Sequence, residues 1–283
     1  MKNLSFKRII LIFVIVFFYA CSSKNCQSKD DNRMETIEEI VVKPTAFHAK
    51  LNMDSLLNTY KTKISNLGKD ELIFPLDSVI ESDSSRVVVI GKFINKNDVF
   101  ALDINGTWDK QHIYFYKYEN ETWQKLKSDV FDSDVLSFSF ENFNKDEDSE
   151  ILILGHPNMN GNREQTIYKY DALSNQCIKS ISLFSSELSY NAHRNLVIYQ
   201  YFGSWYMTSI QTIYKWKGNK LIPVKSVEKQ LKNTSEMSNG KEWIRYYENP
   251  TQDKDTLVLM FKKTYNEKNK RLYDLWENFF DRE

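Results

Sequence analysis

The amino-acid sequence predicts an all-β, mainly antiparallel protein built from propeller-like repeated blades, with one N-terminal and one C-terminal helix. A six-residue phrase, Gln-Thr-Ile-Tyr-Lys followed by an aromatic residue, occurs at residues 165–170 and again at residues 211–216, an offset of 46 residues (211 − 165). A looser copy lies at residues 113–118, and its last residue is 52 positions before the last residue of the copy at 165–170 (170 − 118). Polar turns and further apolar runs after residues 118 and 216 predict β-hairpins. A unit of this length with about four short strands matches the period of a propeller blade.

The spacing of apolar and polar residues predicts the individual helices and strands. Apolar residues at helical spacing predict an N-terminal helix at about residues 54–67. β-branched runs separated by polar turns predict the repeats over about residues 86–224. Two further strands are expected at residues 243–247 and 256–261, and helical spacing predicts a closing helix at about residues 269–280. Both helices are expected to cover edges or open faces of the sheets.

The first 20 residues predict a secretory signal. Lys2, Lys7 and Arg8 precede an apolar or aromatic run over residues 9–20, which is followed by Cys21. The run is shorter than the ~20 residues that a membrane-spanning helix needs. Residues 18–21, Phe-Tyr-Ala-Cys, resemble a bacterial lipoprotein signal. That resemblance implies cleavage before Cys21, acylation of its thiol and a lipid anchor in the cell envelope.

Two regions are predicted after the signal. Residues 21–33 lack apolar periodicity and are expected to form a flexible tether, and residues 34–283 are expected to form a single propeller-like β domain. Lys29-Asp30-Asp31 in the tether resembles signals that route lipoproteins to the cell surface. An outer-membrane lipoprotein is therefore expected, with periplasm-facing and surface-exposed locations as alternatives.

Composition limits the partners and the cross-links. The chain has 38 basic and 38 acidic residues, and the signal contains three of the basic ones, so the mature chain carries a net charge of −3 (35 − 38). Because no basic excess remains, nucleic acid is not an expected partner. Cys26 and Cys177 are expected to be free thiols, with a disulfide between them as the alternative.

The polar loop at residues 142–150 is the best candidate for a metal site. Calcium prefers several oxygen ligands held in a tight loop, and alternate side chains of an acidic loop direct such oxygens inward. The predicted calcium ligands are Asn142, Asn144, Asp146, Asp148 through its backbone carbonyl, and Glu150. Glu147 stands where a glycine would ease the turn, so a solvated acidic turn without metal is the alternative. A related loop with Asn95, Asn97 and Asp98 is expected to keep the turn without a metal.

A second candidate site is aromatic. Residues 199–207 place five aromatic rings around Gly203. Such rings bind the faces of sugars or an anchor residue of a protein partner. The predicted binding residues are Tyr201, Phe202, Trp205 and Tyr206. Because alternate side chains of a strand point to opposite faces, burial in the core is the alternative for about half of the rings.

No pattern in the sequence predicts catalysis. The four histidines show no metal-ligand spacing, no Gly-x-Ser-x-Gly elbow occurs, and the eight glycines form no phosphate-binding loop. A carboxylate pair for glycoside cleavage stays an open alternative, because such a pair needs no fixed sequence spacing. A non-catalytic protein is therefore expected.

Several of these segments resemble one known family. Residues 140–150, the Asn160-Gly161-Asn162 turn, and residues 168–170 and 214–221 are similar to bacterial envelope lipoproteins with a propeller-like fold and a calcium loop, of the FG-GAP-like kind. One branch of that family consists of immunity proteins that neutralise a peptidoglycan hydrolase delivered by an antibacterial secretion system. The resemblance implies a non-catalytic envelope protein whose partner is a cell-wall hydrolase, with calcium held by Asn142, Asn144, Asp146 and Glu150. The alternative function is a surface lipoprotein that binds glycans on the aromatic residues.

Overall fold

Three antiparallel sheets, each built on a four-stranded meander, make up the fold. The computed structural model describes residues 40–41, 53–68, 71–75, 84–203, 207–230, 243–248, 250, 258–264 and 276–282. The predicted signal, the predicted acylation site Cys21, the predicted tether and Cys26 lie outside the described residues, and the division of the chain into those regions stays a prediction. The mainly antiparallel β architecture is confirmed.

Apart from β1, the strands follow one another along the chain within each sheet. The N-terminal sheet runs in the order β2 (Leu72–Ile73), β3 (Ser84–Gly91), β4 (Val99–Thr107), β5 (Lys110–Glu119) and β6 (Thr122–Phe131). The central sheet runs β1 (Ile40–Val41), β7 (Val135–Glu141), β8 (Glu150–Gly155), β9 (Arg163–Asp171) and β10 (Gln176–Ser185). The C-terminal sheet runs β11 (Glu187–Asn191), β12 (Leu196–Tyr201), β13 (Ser209–Lys217), β14 (Lys220–Gln230), β15 (Trp243–Glu248) and β16 (Val258–Thr264).

The repeat found in the sequence is present in the backbone. The three copies of the aromatic phrase lie on β5, β9 and β13, the third strand of each meander. The fourth strand of each meander carries one extra residue opposite the same point of the phrase, and these bulge residues are Leu126, Ser180 and Val224. A bulge bends its strand and increases the local twist. The three meanders are therefore equivalent units in their detailed pairing as well as in their strand order.

The central sheet is buried on both faces. Every residue of β8 is buried, which is typical of a strand covered on both sides. Ile151 and Ile153 belong to the cluster shared with the N-terminal sheet, whereas Leu152 and Leu154 belong to the cluster shared with the C-terminal sheet. The three sheets consequently pack as successive layers.

Helical segments cover the two outer faces of this stack. Leu57 of α1 (Met53–Thr59) and Ile64 of α2 (Lys61–Ile64) pack with Val88 and Ile90 of the N-terminal sheet. On the other side, Trp276 and Phe279 pack with Leu196, Ile213, Val227 and Ile244 of the C-terminal sheet. No helix in the described parts of the chain is long and apolar enough to cross a membrane.

The helices differ in detail from the prediction. The expected helix at residues 54–67 is interrupted at Tyr60, whose backbone (φ −98°, ψ 1°) is not α-helical, and it forms two short helices instead. Of the expected closing helix at residues 269–280, residues 269–275 lie outside the described residues. The described remainder contains only a brief helical turn and a 3-10 helix, Phe280–Arg282.

The described strands do not close into a propeller ring. In a closed ring, each outer face would pack on a further blade. Here those faces pack on α1, α2 and the C-terminal helical segment instead. The two predicted late strands are β15 and β16, and they extend the outer edge of the C-terminal sheet.

A polar link joins the N-terminal and central sheets. Asp129 of β6 accepts hydrogen bonds from Nζ of Lys179 at 3.0 Å and from the hydroxyl of Tyr168 at 3.1 Å. Burial opposes the charge of Asp129, but these donors and the N–H of Val130 outweigh it and hold the pKa of Asp129 below its ordinary value. The ionised carboxylate therefore stabilises the packing of the two sheets.

Asp129→Asn should lower the free energy of unfolding by about 1–3 kcal/mol at neutral pH, because the hydrogen bonds then reach an uncharged acceptor. The native pKa of Asp129 lies below its ordinary value of 3.8, so its contribution is present above that pH and is lost as the native carboxylate becomes protonated. The difference between variant and wild type should thus shrink below pH 3.8 in urea unfolding. Asp132→Asn, on an exposed turn, is the control and should change stability by less than about 0.5 kcal/mol. Equal losses in both variants would contradict the assignment.

Candidate functional site

The loop at residues 142–150 connects β7 to β8 at one end of the central sheet. Side-chain oxygens of the loop accept backbone N–H groups in succession. The oxygen of Asn142 accepts the N–H of Asn144 at 3.1 Å and that of Lys145 at 2.7 Å. The oxygen of Asn144 accepts the N–H of Asp146 at 2.9 Å, and Oδ1 of Asp146 accepts the N–H of Asp148 at 3.0 Å. The loop is therefore a series of Asx-type turns. The related loop is built in the same way, since Asn95 accepts the N–H groups of Asn97 and Asp98.

Glu150 lies beneath this loop with no exposed surface. Its Oε2 accepts the N–H of Phe143 at 2.8 Å, and its Oε1 contacts the side-chain amide of Asn144. Burial outweighs these donors and raises the pKa of Glu150 to about 7. Although a raised pKa is common in catalytic acids, a carboxyl group with no exposed surface cannot touch a substrate. Glu150 is therefore placed to hold the loop.

Lys169 of β9 places its ammonium group between two carboxylates. Its Nζ lies 2.7 Å from Oδ2 of Asp146 and 3.3 Å from Oε1 of Glu150. Burial disfavours the charge, but these carboxylates raise the pKa of Lys169 above its ordinary value. The ammonium also lies 5.2 Å from the centroid of the Trp216 ring, whose indole N–H donates to the carbonyl of Phe143 at 2.7 Å. The loop thus links the central sheet to the C-terminal sheet.

The predicted calcium ligands lie together in this loop, but their oxygens already have partners. The side-chain oxygens of Asn142, Asn144, Asp146 and Glu150 contact N–H groups or Lys169. Calcium takes about six to eight oxygen ligands, so the ion would have to displace the ammonium group. Among the residues that the structure describes, no group of three or more His, Cys, Asp or Glu side chains is placed to hold a metal ion. The arrangement shown does not fit a calcium ion, and calcium binding stays a prediction.

The aromatic segment is described only in part, because Trp205 and Tyr206 lie outside the described residues. Phe202 is 46% exposed. The ring of Tyr201 lies 6.4 Å from the ring of Phe184, and its hydroxyl lies 3.6 Å from the sulfur of Met207. Tyr201 therefore belongs to a partly exposed patch with Phe184 and Met207, and exposed Phe202 follows it directly after the end of β12.

Exposed apolar side chains recur at the same connection of all three meanders. Trp108, between β4 and β5, is 71% exposed, and Met159, between β8 and β9, is fully exposed. Phe202 and Met207 occupy the corresponding connection between β12 and β13. We call the surface formed by Trp108, Met159, Phe202 and Met207 the tip face. The sequence prediction included only Phe202 among these, although each connection directly follows the second strand of a repeat.

Hydrogen bonds hold these three connections at one end of the sheets. Nε2 of Gln111 donates to Asp134 at 3.2 Å, and Asp134 in turn lies 3.1 Å from Nε2 of His156. Asn162, which is fully buried, donates to the carbonyl of Phe202 at 2.6 Å and accepts the N–H of Phe202 at 3.0 Å. The tip face is consequently one surface to which the three meanders contribute.

Asn162→Ala should lower the free energy of unfolding by about 1–3 kcal/mol, because it leaves two backbone groups of Phe202 without their partner. Asn160→Ala removes an exposed side chain of the same turn and should change stability by less than about 0.5 kcal/mol. Urea unfolding measures both changes, and amide exchange at Phe202 should accelerate only in the first variant. Unchanged exchange at Phe202 in Asn162→Ala would contradict the link.

Comparisons with known proteins identify no family for this chain: no protein-family model and no curated protein matches it. A solved structure described as "Structure of a Xanthomonas Type IV Secretion System related protein" is similar to it with a TM-score of 0.35 and 12% identity, over 69% of this chain and 95% of that chain. At this TM-score, the likeness supports no inference about function.

Proposed function

We propose that this chain is a lipid-anchored, non-catalytic binding protein of the cell envelope that binds a protein partner on the tip face. The observation that carries the proposal is the recurrence of large exposed apolar side chains, Trp108, Met159 and Phe202, at one end of three consecutive meanders. A single exposed apolar residue needs no explanation, but the recurrence of such residues at the same connection of all three meanders supports an interaction surface. Aromatic residues and methionine are enriched at such surfaces.

The signal and tether support an envelope location. Residues 1–20 have the pattern of a lipoprotein signal, and Cys21 is the residue that would carry the lipid. A tether over residues 21–33 would hold the β domain near the membrane, facing the periplasm or the cell exterior. Radiolabelled palmitate should be incorporated by wild-type protein and not by Cys21→Ser.

A peptidoglycan hydrolase is the partner that we propose, with this chain as its inhibitor. The sequence resemblance supports this choice. Charged groups of both signs border the tip face: Asp134 and Glu164 lie at the same end of the sheets as Lys110 and Arg163, which begin β5 and β9. Such groups make the rate of association with a charged partner sensitive to salt.

Combining Trp108→Ala, Met159→Ser and Phe202→Ala should weaken binding about 100-fold or more, because a few buried anchor residues contribute most of the affinity of an interface. The probe is a purified peptidoglycan hydrolase from the same organism, with binding measured by calorimetry. The matched control is Leu173→Ala, which changes a 99% exposed apolar residue at the opposite end of the central sheet and should bind like the wild type.

Two results would overturn the proposal. The first is that the hydrolase forms no complex with the wild-type protein and that cells producing the hydrolase are not protected. The second is that the protein itself releases fragments from purified peptidoglycan, which would make it an enzyme.

A second candidate function is glycan binding on the aromatic residues. The paired rings of Phe184 and Tyr201 beside exposed Phe202 favour it, since aromatic faces stack on sugars. A glycan array tests it with the wild type and with a variant that combines Tyr201→Ala and Trp205→Ala. Glycan binding that survives both changes would exclude these residues as the platform.

A further inference from the structure

The lysine of the repeated phrase occupies an equivalent position in all three meanders, but its surroundings differ. Lys117, Lys169 and Lys215 each follow the tyrosine that lies opposite a bulge, on β5, β9 and β13. The first two side chains are largely buried, at 10% and 16% exposure, whereas Lys215 is exposed. The difference requires a cause outside the phrase itself.

One difference is in the polar loop between the first two strands of each meander. Lys117 reaches Asp98 of its own loop at 3.4 Å, as Lys169 reaches Asp146 at 2.7 Å. The corresponding loop of the third meander, residues 192–195, contains no carboxylate. Lys215 has no ion pair with any residue that the structure describes. The two buried lysines are therefore those whose own loop supplies an acid.

The buried lysine also contacts the aromatic residue that ends the phrase of the next meander. Nζ of Lys117 lies 5.4 Å from the centroid of the Tyr170 ring and donates to its hydroxyl at 3.2 Å. Nζ of Lys169 lies 5.2 Å from the centroid of the Trp216 ring. Contacts of this kind stabilise a cation over a ring face. Each buried ammonium group is thus enclosed by its own loop and by the next sheet.

The oxygens of the 142–150 loop divide into two sets. One set accepts backbone N–H groups and shapes the turn, and it includes Oδ1 of Asn142 and Oδ1 of Asn144. The other set consists of Oδ2 of Asp146 and Oε1 of Glu150, and both atoms contact the ammonium of Lys169. A divalent cation in the loop would need these two carboxylate oxygens, because both belong to the predicted ligands and both are acidic.

We propose that the ammonium group of Lys169 is the cation of the 142–150 loop, so that the loop forms without a bound metal ion. A buried carboxylate requires a compensating charge, and Lys169 supplies it from within the chain. Calcium at the same oxygens would place a divalent ion beside the ammonium group, and the repulsion would oppose binding. The loop lies at the end of β8 opposite to the tip face, so this inference does not depend on partner binding.

The first test compares Lys169→Met with Lys215→Met, which removes the same group from the equivalent but exposed position. In urea unfolding of the full chain at a pH above the Glu150 pKa of about 7, Lys169→Met should lower the folding equilibrium constant about 100-fold, because it leaves the Glu150 carboxylate buried without its partner charge. Lys215→Met should lower it less than about 3-fold. Lys169→Arg keeps the charge and should stay closer to the wild type than Lys169→Met does. Equal losses in Lys169→Met and Lys215→Met would overturn the proposal.

The second test is a titration of the wild-type protein with calcium chloride. The proposal requires that calcium give no saturable heat in calorimetry and no change in the unfolding midpoint relative to a sample in EDTA. Saturable heat with a raised midpoint would overturn it and would support the calcium site expected from the sequence. If Lys169→Met does not fold, the calcium titration still tests the proposal. The stability of Lys169→Arg relative to the wild type tests it as well, since this variant keeps the charge and should fold.

Discussion

Burial of both faces of the central sheet is the constraint on which the rest of the structure depends. β8 alternates Ile151 and Ile153 toward one neighbour with Leu152 and Leu154 toward the other, so a sheet must lie on each side of it. Each of these sheets then has an outer apolar face of its own, with Val88 on one and Ile213 on the other. Helical segments cover these faces, and this is the reason that three repeated units can form a stable stack without a closed ring.

The charged contacts at the end of the sheets opposite the tip face, which we call the polar end, follow from this layering. Once β5 and β9 lie in adjacent sheets, the lysine of one repeat is brought under the final aromatic residue of the next repeat. An ammonium group held there is largely removed from water, and it stabilises the fold only if a carboxylate accompanies it. Asp98 does so in the first repeat, and Asp146 with Glu150 does so in the second. The third repeat has no acidic loop, and Lys215 stays in solvent.

The sequence predicts what depends on near neighbours and misses what depends on packing. Strands and hairpins were predictable because alternation and turn residues act over a few positions. The break in the N-terminal helix at Tyr60 and the absence of ring closure among the described strands were not predictable, because both depend on which surface a segment covers. The 142–150 loop was located correctly, but its contact with Lys169 joins residues 23 positions apart through the pairing of β8 with β9. The exposure of Trp108 and Met159 was not predictable, because isolated apolar residues in turns carry no period.

The two ends of the meanders are suited to different tasks. At the polar end, the loop oxygens and Lys169 satisfy one another, so few groups are left to hold a partner. At the tip face, Trp108 and Met159 lie exposed although burial would be favourable for both. A strand of six residues such as β8 separates the two ends by roughly 20 Å, and changes that far apart have nearly independent effects on stability. Substitutions in the tip face should therefore leave intact the charged contacts that hold the sheets together at the other end.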